Sequence, residues 1–241
     1  MQRYFALNHN LEIDKKDIYH MYKVMRMKTN DNILVVYDKI TYLCKIISLD
    51  LNNIDIEIIS SEESKSNNNV DITIAISLVN EQKWDYILQK ATELGVNNIM
   101  PVIFERTIIK IDESKKNKKQ ERWMSICKEA SEQSHRDNIP NILDITKLNN
   151  INSEYYDLKL ICSTNKDILS LKQILSKDEK YDKILIVIGP EGGISSNEED
   201  MLENKGFIRV SLGNLILRVE TVPLYILSVI NYELMRWEGW I

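Results

Sequence analysis

Apolar and polar positions change rhythm once along this 241-residue chain. Up to about residue 60 the apolar runs are short and alternate with polar residues, the period of half-buried strands. Asn32 to Asp38 and Thr41 to Leu49 read as strands, with Asp38-Lys39 as a hairpin turn between them. Ile54 to Ile59 sets isoleucine against acidic residues, and one helical patch covers Lys16 to Met25. This is the pattern of a small β-barrel. The polar run Ser60 to Asn69 lacks an apolar anchor and places a boundary there, giving domains 1–68 and 69–241.

Beyond it, strands alternate with helices. Val70 to Leu78, Asn98 to Ile103, Lys159 to Ser163, Lys183 to Ile188 and Phe207 to Leu212 read as strands. Gln82 to Leu94 carries Trp84, Ile87, Leu88, Ala91 and Leu94 on one stripe, and Gly95 ends it. Asn117 to Ser134, Ile168 to Leu175 and Pro223 to Trp237 are further helices. That alternation predicts an α/β domain with a mainly parallel sheet.

A hydrophobic content of 44% suits a packed core. The net charge of −5 argues against a generally basic nucleic-acid coat, though not against local patches. Residues 105–136 hold nine Lys/Arg against six Asp/Glu, with Lys115, Lys116, Lys118, Lys119 and Arg122 as a candidate phosphate track or a solvated face. Cys44, Cys127 and Cys162 are odd in number and widely spaced, which suits a reduced cytoplasmic protein. His9, His20 and His135 are scattered, so no metal site is expected. No apolar run approaches the length of a membrane span.

Four of the seven glycines sit in two segments. One is Ile188-Gly189-Pro190-Glu191-Gly192-Gly193-Ile194-Ser195; the other runs from Leu212-Gly213 through Ile216-Leu217-Arg218 to Glu220-Thr221. Each follows a predicted strand, and neighbouring strand-end loops make a ligand site in an α/β sheet. Neither is a Walker loop nor a dinucleotide fingerprint. Pro190 removes a backbone donor and Glu191 repels phosphate, so the first loop suits a neutral or cationic ligand better. It also reads as a plain turn, with Ser195 or Ser196 capping a helix that has Glu198 or Glu199 in its first turn. Arg218 reads equally as a functional cation or as the partner of Glu220 or Glu191.

Taken together, these segments resemble the C-terminal motifs of the RsmE family, S-adenosylmethionine-dependent SPOUT-class methyltransferases of 16S ribosomal RNA. Upstream, Lys83, Lys90, Glu93, Leu94 and Gly95, then Pro101 and Arg106, resemble further family blocks. So do Glu129 to Arg136 with Pro140, Arg3-Tyr4-Phe5, and His20 with Val24-Met25-Arg26. Val222 stands where the family has Ala, and Asn30-Asp31 replaces Gly-Asp.

The resemblance implies a PUA-like β-barrel followed by a SPOUT domain with a C-terminal trefoil knot. It implies a homodimer acting on 16S rRNA or the 30S subunit at N3 of a uridine. It places S-adenosylmethionine against Thr164, Ile188, Gly189, Gly193, Leu212, Gly213, Ile216 and Leu217. Arg218 and Glu191 become the catalytic candidates, and Arg3, Arg26, Arg106 and Arg136 the RNA contacts. A knotted methyltransferase of transfer RNA and a non-catalytic RNA-binding protein are the competing readings.

Overall fold

In the computed structural model the described residues are 1–63, 70–110, 112–165, 168–176 and 179–234, with the backbone alone for residue 113. They fall into two compact units, Met1–Ser66 with Lys128–Ile139, and Asn67–Cys127 with Pro140–Ile241. A contiguous division at residue 68 does not anticipate the return of residues 128–139 to the first unit.

The first unit contains β1 (Arg3–Phe5), helix α1 (Lys15–Tyr19), a π-helical turn (His20–Val24), β2 (Asn32–Tyr37), β3 (Ile40–Leu49) and β4 (Ile54–Glu63). These strands form one sheet in the order β1-β2-β3-β4, with β1 parallel to β2 and the other pairs antiparallel. Asp38 and Lys39 make the expected two-residue hairpin, both at positive φ (46° and 64°). Asn30 takes φ 76°, a left-handed conformation that asparagine tolerates better than most residues where glycine is usual. β4 is longer than its alternation predicts. The β3–β4 register shifts twice, leaving Ile47 and Ile59 as the extra residues of two bulges, 47% and 52% exposed. Tyr4, Leu11, Ile13, Ile18, Met21, Ile33, Val35, Cys44 and Ile46 form the core.

The second unit holds β5 (Asp71–Ser77), α2 (Glu81–Glu93), β6 (Asn98–Ile103), α3 (Lys116–Gln133), β7 (Asn141–Ile142) and β8 (Thr146–Lys147). It continues with β9 (Leu158–Cys162), β10 (Leu169–Ser170), α4 (Leu171–Leu175), β11 (Lys183–Ile188), α5 (Ser196–Asn204), β12 (Ile208–Ser211) and α6 (Val222–Leu234). α3 supplies its last six residues to the first unit. The sheet runs β10-β12-β9-β11-β5-β6-β7, with β8 also on β6, and every pairing is parallel.

Its central strands are mostly apolar, as a sheet buried on both faces requires, with Thr73 and Ser77 of β5 as buried polar exceptions. Trp84 of α2 meets Trp123 of α3 with ring centroids 5.3 Å apart. Asn80 caps α2 through the Lys83 amide, and Gly95 (φ 87°) ends it. The helix expected from Ile168 starts later because Ser170 caps it in a capping box with Gln173, and Leu169-Ser170 pairs with β12 instead. The expected end of the last helix, residues 235–237, lies outside the described residues.

Candidate functional site

Parallel pairing brings the C-terminal ends of the central strands level. Ile188 at the end of β11 is in register with Ile76 of β5 and Cys162 of β9, and Cys162 with Val210 of β12. Three segments singled out in the sequence therefore leave one edge of the sheet side by side: Ser163-Thr164 after β9, Gly189 to Ser195 after β11, and Leu212 to Thr221 after β12. This is where ligands bind in open parallel sheets.

The Gly189–Ser195 loop is held from several sides. A side chain at Gly189 would force its surroundings to shift, since an added Cβ would lie 2.5 Å from Ile194 Cγ1. Gly193 sits at φ 74°, and its N–H donates to Pro190 O at 2.9 Å. Arg106 donates from Nη1 to Gly192 O at 2.9 Å. Ser195 is the N-cap of α5 in a reciprocal capping box with Glu198, and Glu198 Oε1 also accepts from the Glu105 N–H at 2.7 Å. The turn reading and the ligand reading are thus compatible, and the structure selects Ser195 and Glu198 as the capping pair.

Its neighbour Glu199 is buried, and its carboxylate accepts from Ser163 Oγ at 2.8 Å and Asn165 Nδ2 at 2.6 Å, with Arg209 at 3.4 Å. It fixes the loop that carries Thr164, which is exposed. Cys162, just before that loop, has its thiol pushed up to about 12 by burial.

Lys83, in the first turn of α2, joins the two glycine segments. Its Nζ lies 2.9 Å from Glu191 Oε1 and 3.4 Å from Glu220 Oε2. The second contact is an ion pair only, because that shielded Glu220 oxygen makes no hydrogen bond among the described residues. The hydrogen bond to Glu191, then the carboxylate charges, raise the Lys83 ammonium against the opposing pull of desolvation. Desolvation pushes the Glu191 carboxyl up, but the Lys83 hydrogen bond, a backbone amide and the Lys83 charge together hold it below the usual range.

Arg218 pairs with neither glutamate. It is exposed and has no ion-pair partner among the described residues, while its carbonyl starts α6 by accepting from Thr221 and Val222 N–H at 2.8 and 3.2 Å. Gly213 takes φ 120°, and a Cβ there would meet nothing within 4 Å. Leu215 and Ile216 are 80% and 84% exposed, Leu217 and Leu212 are half-buried, and Ile188 is buried. Large exposed apolar side chains beside an open glycine suit a flat apolar ligand. One ammonium between two carboxylates leaves a net negative charge that suits a cation. Both properties fit the adenosine and sulfonium of S-adenosylmethionine.

The other arginines are apart from these loops or tied to them. Arg106 holds the Gly192 carbonyl, as above. In the first unit, Arg3 donates from Nη1 to Arg136 O at 2.8 Å, so that group buttresses the chain. Arg136 donates to Asn138 Oδ1 at 3.2 Å. Arg26 is exposed at φ 53°. In the candidate phosphate track, Arg122 is engaged by Glu81 (2.6 Å) and Asp85, and Lys116 lies 4.0 Å from Asp144. Lys90 and Glu93 form an ion pair at 2.8 Å. Lys83, Glu199, Ser163 and Asn165 are absent from the sequence-based site. Lys83 belongs to a matched block, but its bridging of two loops is a tertiary fact, and Glu199 reads as an ordinary first-turn acid.

A parallel α/β sheet whose loops converge at one edge, preceded by a separate β unit, leaves the class open, and the family matches make it an RNA methyltransferase of two parts. The RNA methyltransferase domain family matches residues 66–231, and the RNA methyltransferase PUA domain family matches residues 13–59. Ribosomal RNA small subunit methyltransferase E of Bacillus subtilis is 32% identical over 253 residues, covering 98% of this chain and 99% of its own. That of Aquifex aeolicus is 32% identical over 92% of this chain and 94% of its own. The chain belongs to the ribosomal RNA small subunit methyltransferase E family. Among solved structures, the Neisseria gonorrhoeae member bound to S-adenosyl methionine is 31% identical, with a TM-score of 0.83 over 96% of this chain and 97% of that one. Lpg2936 of Legionella pneumophila, in complex with the cofactor SAM, is 27% identical with a TM-score of 0.87 over the same shares.

Proposed function

We propose that this protein transfers a methyl group from S-adenosylmethionine to N3 of a uridine in 16S ribosomal RNA. The observation that carries the reading is the convergence of the Thr164, Gly189 and Gly213 loops at one sheet edge, in a chain of this family. Thr164, Ile188, Gly189, Gly193, Leu212, Gly213, Ile216 and Leu217 would hold the cofactor, with Ile188 and Leu212 contributing backbone. When bound, the sulfonium supplies an electrophilic methyl for in-line displacement, so the protein supplies position and electrostatics.

Uridine N3 must lose its proton, and a cation beside the uracil oxygens stabilises the resulting anion. Arg218, exposed and without an ion-pair partner among the described residues, takes that role. Glu191, committed to Lys83 and held deprotonated, balances cofactor charge. N3 lies on the pairing edge, so the base must be unpaired or flipped out. Arg26 and Arg106 are assigned to RNA, with Arg3 and Arg136 as supports of the first unit. The chain threads through the cofactor loops as a trefoil knot and acts as a cytoplasmic homodimer with α6 at the interface. No helix among the described residues is long and apolar enough to cross a membrane.

The test is incubation with S-adenosylmethionine carrying a labelled methyl group on 30S subunits, naked 16S rRNA and tRNA, with the modified base mapped. Label at a uridine N3 of 16S rRNA is expected. Label on tRNA alone, or cofactor binding without transfer, overturns the assignment.

A further inference from the structure

We propose that residues 15–26 of the first unit form a platform on which an unpaired RNA base stacks, with Tyr22 and Tyr19 as the stacking rings. This rests on the RNA-substrate reading above and names a surface for it. The segment is built from the inside by Ile18 and Met21, which are 5% and 0% exposed. The His20 ring meets the buried Tyr4 edge-on at 6.5 Å. With the anchors inward, the rest of the segment apart from the part-buried Asp17 is exposed. Tyr19 is 54% exposed and Tyr22 39%, and Lys15, Lys16, Lys23 and Arg26 are all exposed.

Exposed tyrosines also occur elsewhere, such as Tyr155 at 72% and Tyr232 at 82%, and what distinguishes Tyr19 and Tyr22 is the company of exposed cations in the same short segment. Charge supplies the choice of partner. Residues 14–28 contain five Lys/Arg and two Asp. Both aspartates are turned to structural work: Asp14 caps α1 through the Lys16 amide, and Asp17 pairs with Lys128. The outward charge is therefore basic in a chain whose net charge is −5. Lys23 Nζ sits 5.5 Å from the Tyr22 ring centroid, which steadies one face of that ring and leaves the other for a base.

The backbone is also unusual here. The turn His20–Val24 is π-helical, and Met25 N–H closes it on His20 O at 2.9 Å. Arg26 then adopts φ 53°, and Met27 N–H returns to Met21 O at 3.0 Å. π-turns and left-handed non-glycine residues cost free energy and concentrate at functional sites. Aromatic faces interleaved with cations are the means by which single-stranded nucleic acid is held without base-edge readout. A duplex keeps its base faces covered, and a protein partner would not favour this density of lysine.

The experiment measures binding of a short fluorescein-labelled unstructured RNA to the full chain and to Tyr19→Ala, Tyr22→Ala and Tyr22→Phe. Each alanine variant is expected to weaken binding roughly 5- to 100-fold. Tyr22→Phe should stay near wild type, because the ring face is kept. Affinity for S-adenosylmethionine, measured by calorimetry on the same preparations, should be unmoved, and thermal melting checks that each variant folds. Wild-type affinity in both alanine variants overturns the platform, as does equal competition by duplex RNA of the same sequence. If the wild-type chain binds the cofactor and the RNA while the alanine variants match it, only this inference falls. A wild-type chain that binds neither sinks the methyltransferase reading with it.

Discussion

Glu132, a part-buried carboxyl, contributes to the pH response of the first unit. Burial is the largest influence, opposed by Lys128 and reinforced by Asp17, and the carboxyl is raised to about 7. Lys128 Nζ lies 3.5 Å from its Oε1, and the same ammonium also pairs with Asp17. Raised above its unfolded value, this group contributes stability that is fully present below about pH 4.3 and is lost as pH rises through about 7. Glu132→Gln should remove that part of the decline between about pH 4.3 and 7, read as melting temperature against pH. A variant curve with the wild-type slope would show that another group is titrating.

Gly189 is crowded by Ile194. Its side-chain position is filled by Ile194 Cγ1 at 2.5 Å, and the Ile194 backbone nitrogen at 3.3 Å leaves little room to retreat. Gly189→Ala should cost about 1–3 kcal/mol in denaturant unfolding and weaken cofactor binding. Adding Ile194→Val should not rescue it, since valine keeps the branch at Cβ, whereas Ile194→Ala should recover part of the loss.

Between elements, carboxylates tie down the loops at the sheet edge, and Ile194 packs the first of them on the core. Glu198 and Glu199 at the start of α5 grip the segments after β6 and β9, and Lys83 ties the Glu191 loop to Glu220. Lys83→Met removes a partly exposed pair, so global stability should fall by no more than about 1 kcal/mol. Two carboxylates would then face each other unneutralised, and misplaced loops can cost up to about 100-fold in rate. Turnover under saturating cofactor, set beside the melting temperature, distinguishes the two effects. Equal, small losses in both would reduce Lys83 to a surface ion pair.

Elements differ in how plainly the sequence marks them. Strands such as Lys183–Ile188 and Asn98–Ile103 announce themselves through unbroken apolar runs, and α2 through its stripe, cap and terminal glycine. The two-residue strands β7 and β8 carry too few positions for any period, and β10 was hidden inside an expected helix until Ser170 capped it. The glycine segments were legible as loops because little else tolerates their backbone. Lys83 and Glu199 were not, because their partners lie 108 and 36 residues away.

At the scale of the whole molecule, a protein of net charge −5 must bind a polyanion through local basic surfaces and despite its total charge. Which cations take part depends on which are already committed. Lys115 and Lys118 are exposed near the start of α3, whereas Arg122, one turn further along, is held by Glu81 and Asp85. Binding to single-stranded RNA should weaken with salt, with a logarithmic slope of roughly −0.7 per phosphate neutralised. Lys115→Gln with Lys118→Gln should therefore flatten the slope by about 1.4, while Arg122→Gln should leave it unchanged and lower the melting temperature instead. Titrations across a salt series decide the matter. An Arg122 variant that flattens the slope as each lysine does would mean that its ion pairs open on RNA, and that the phosphate track runs further along α3 than the free structure indicates.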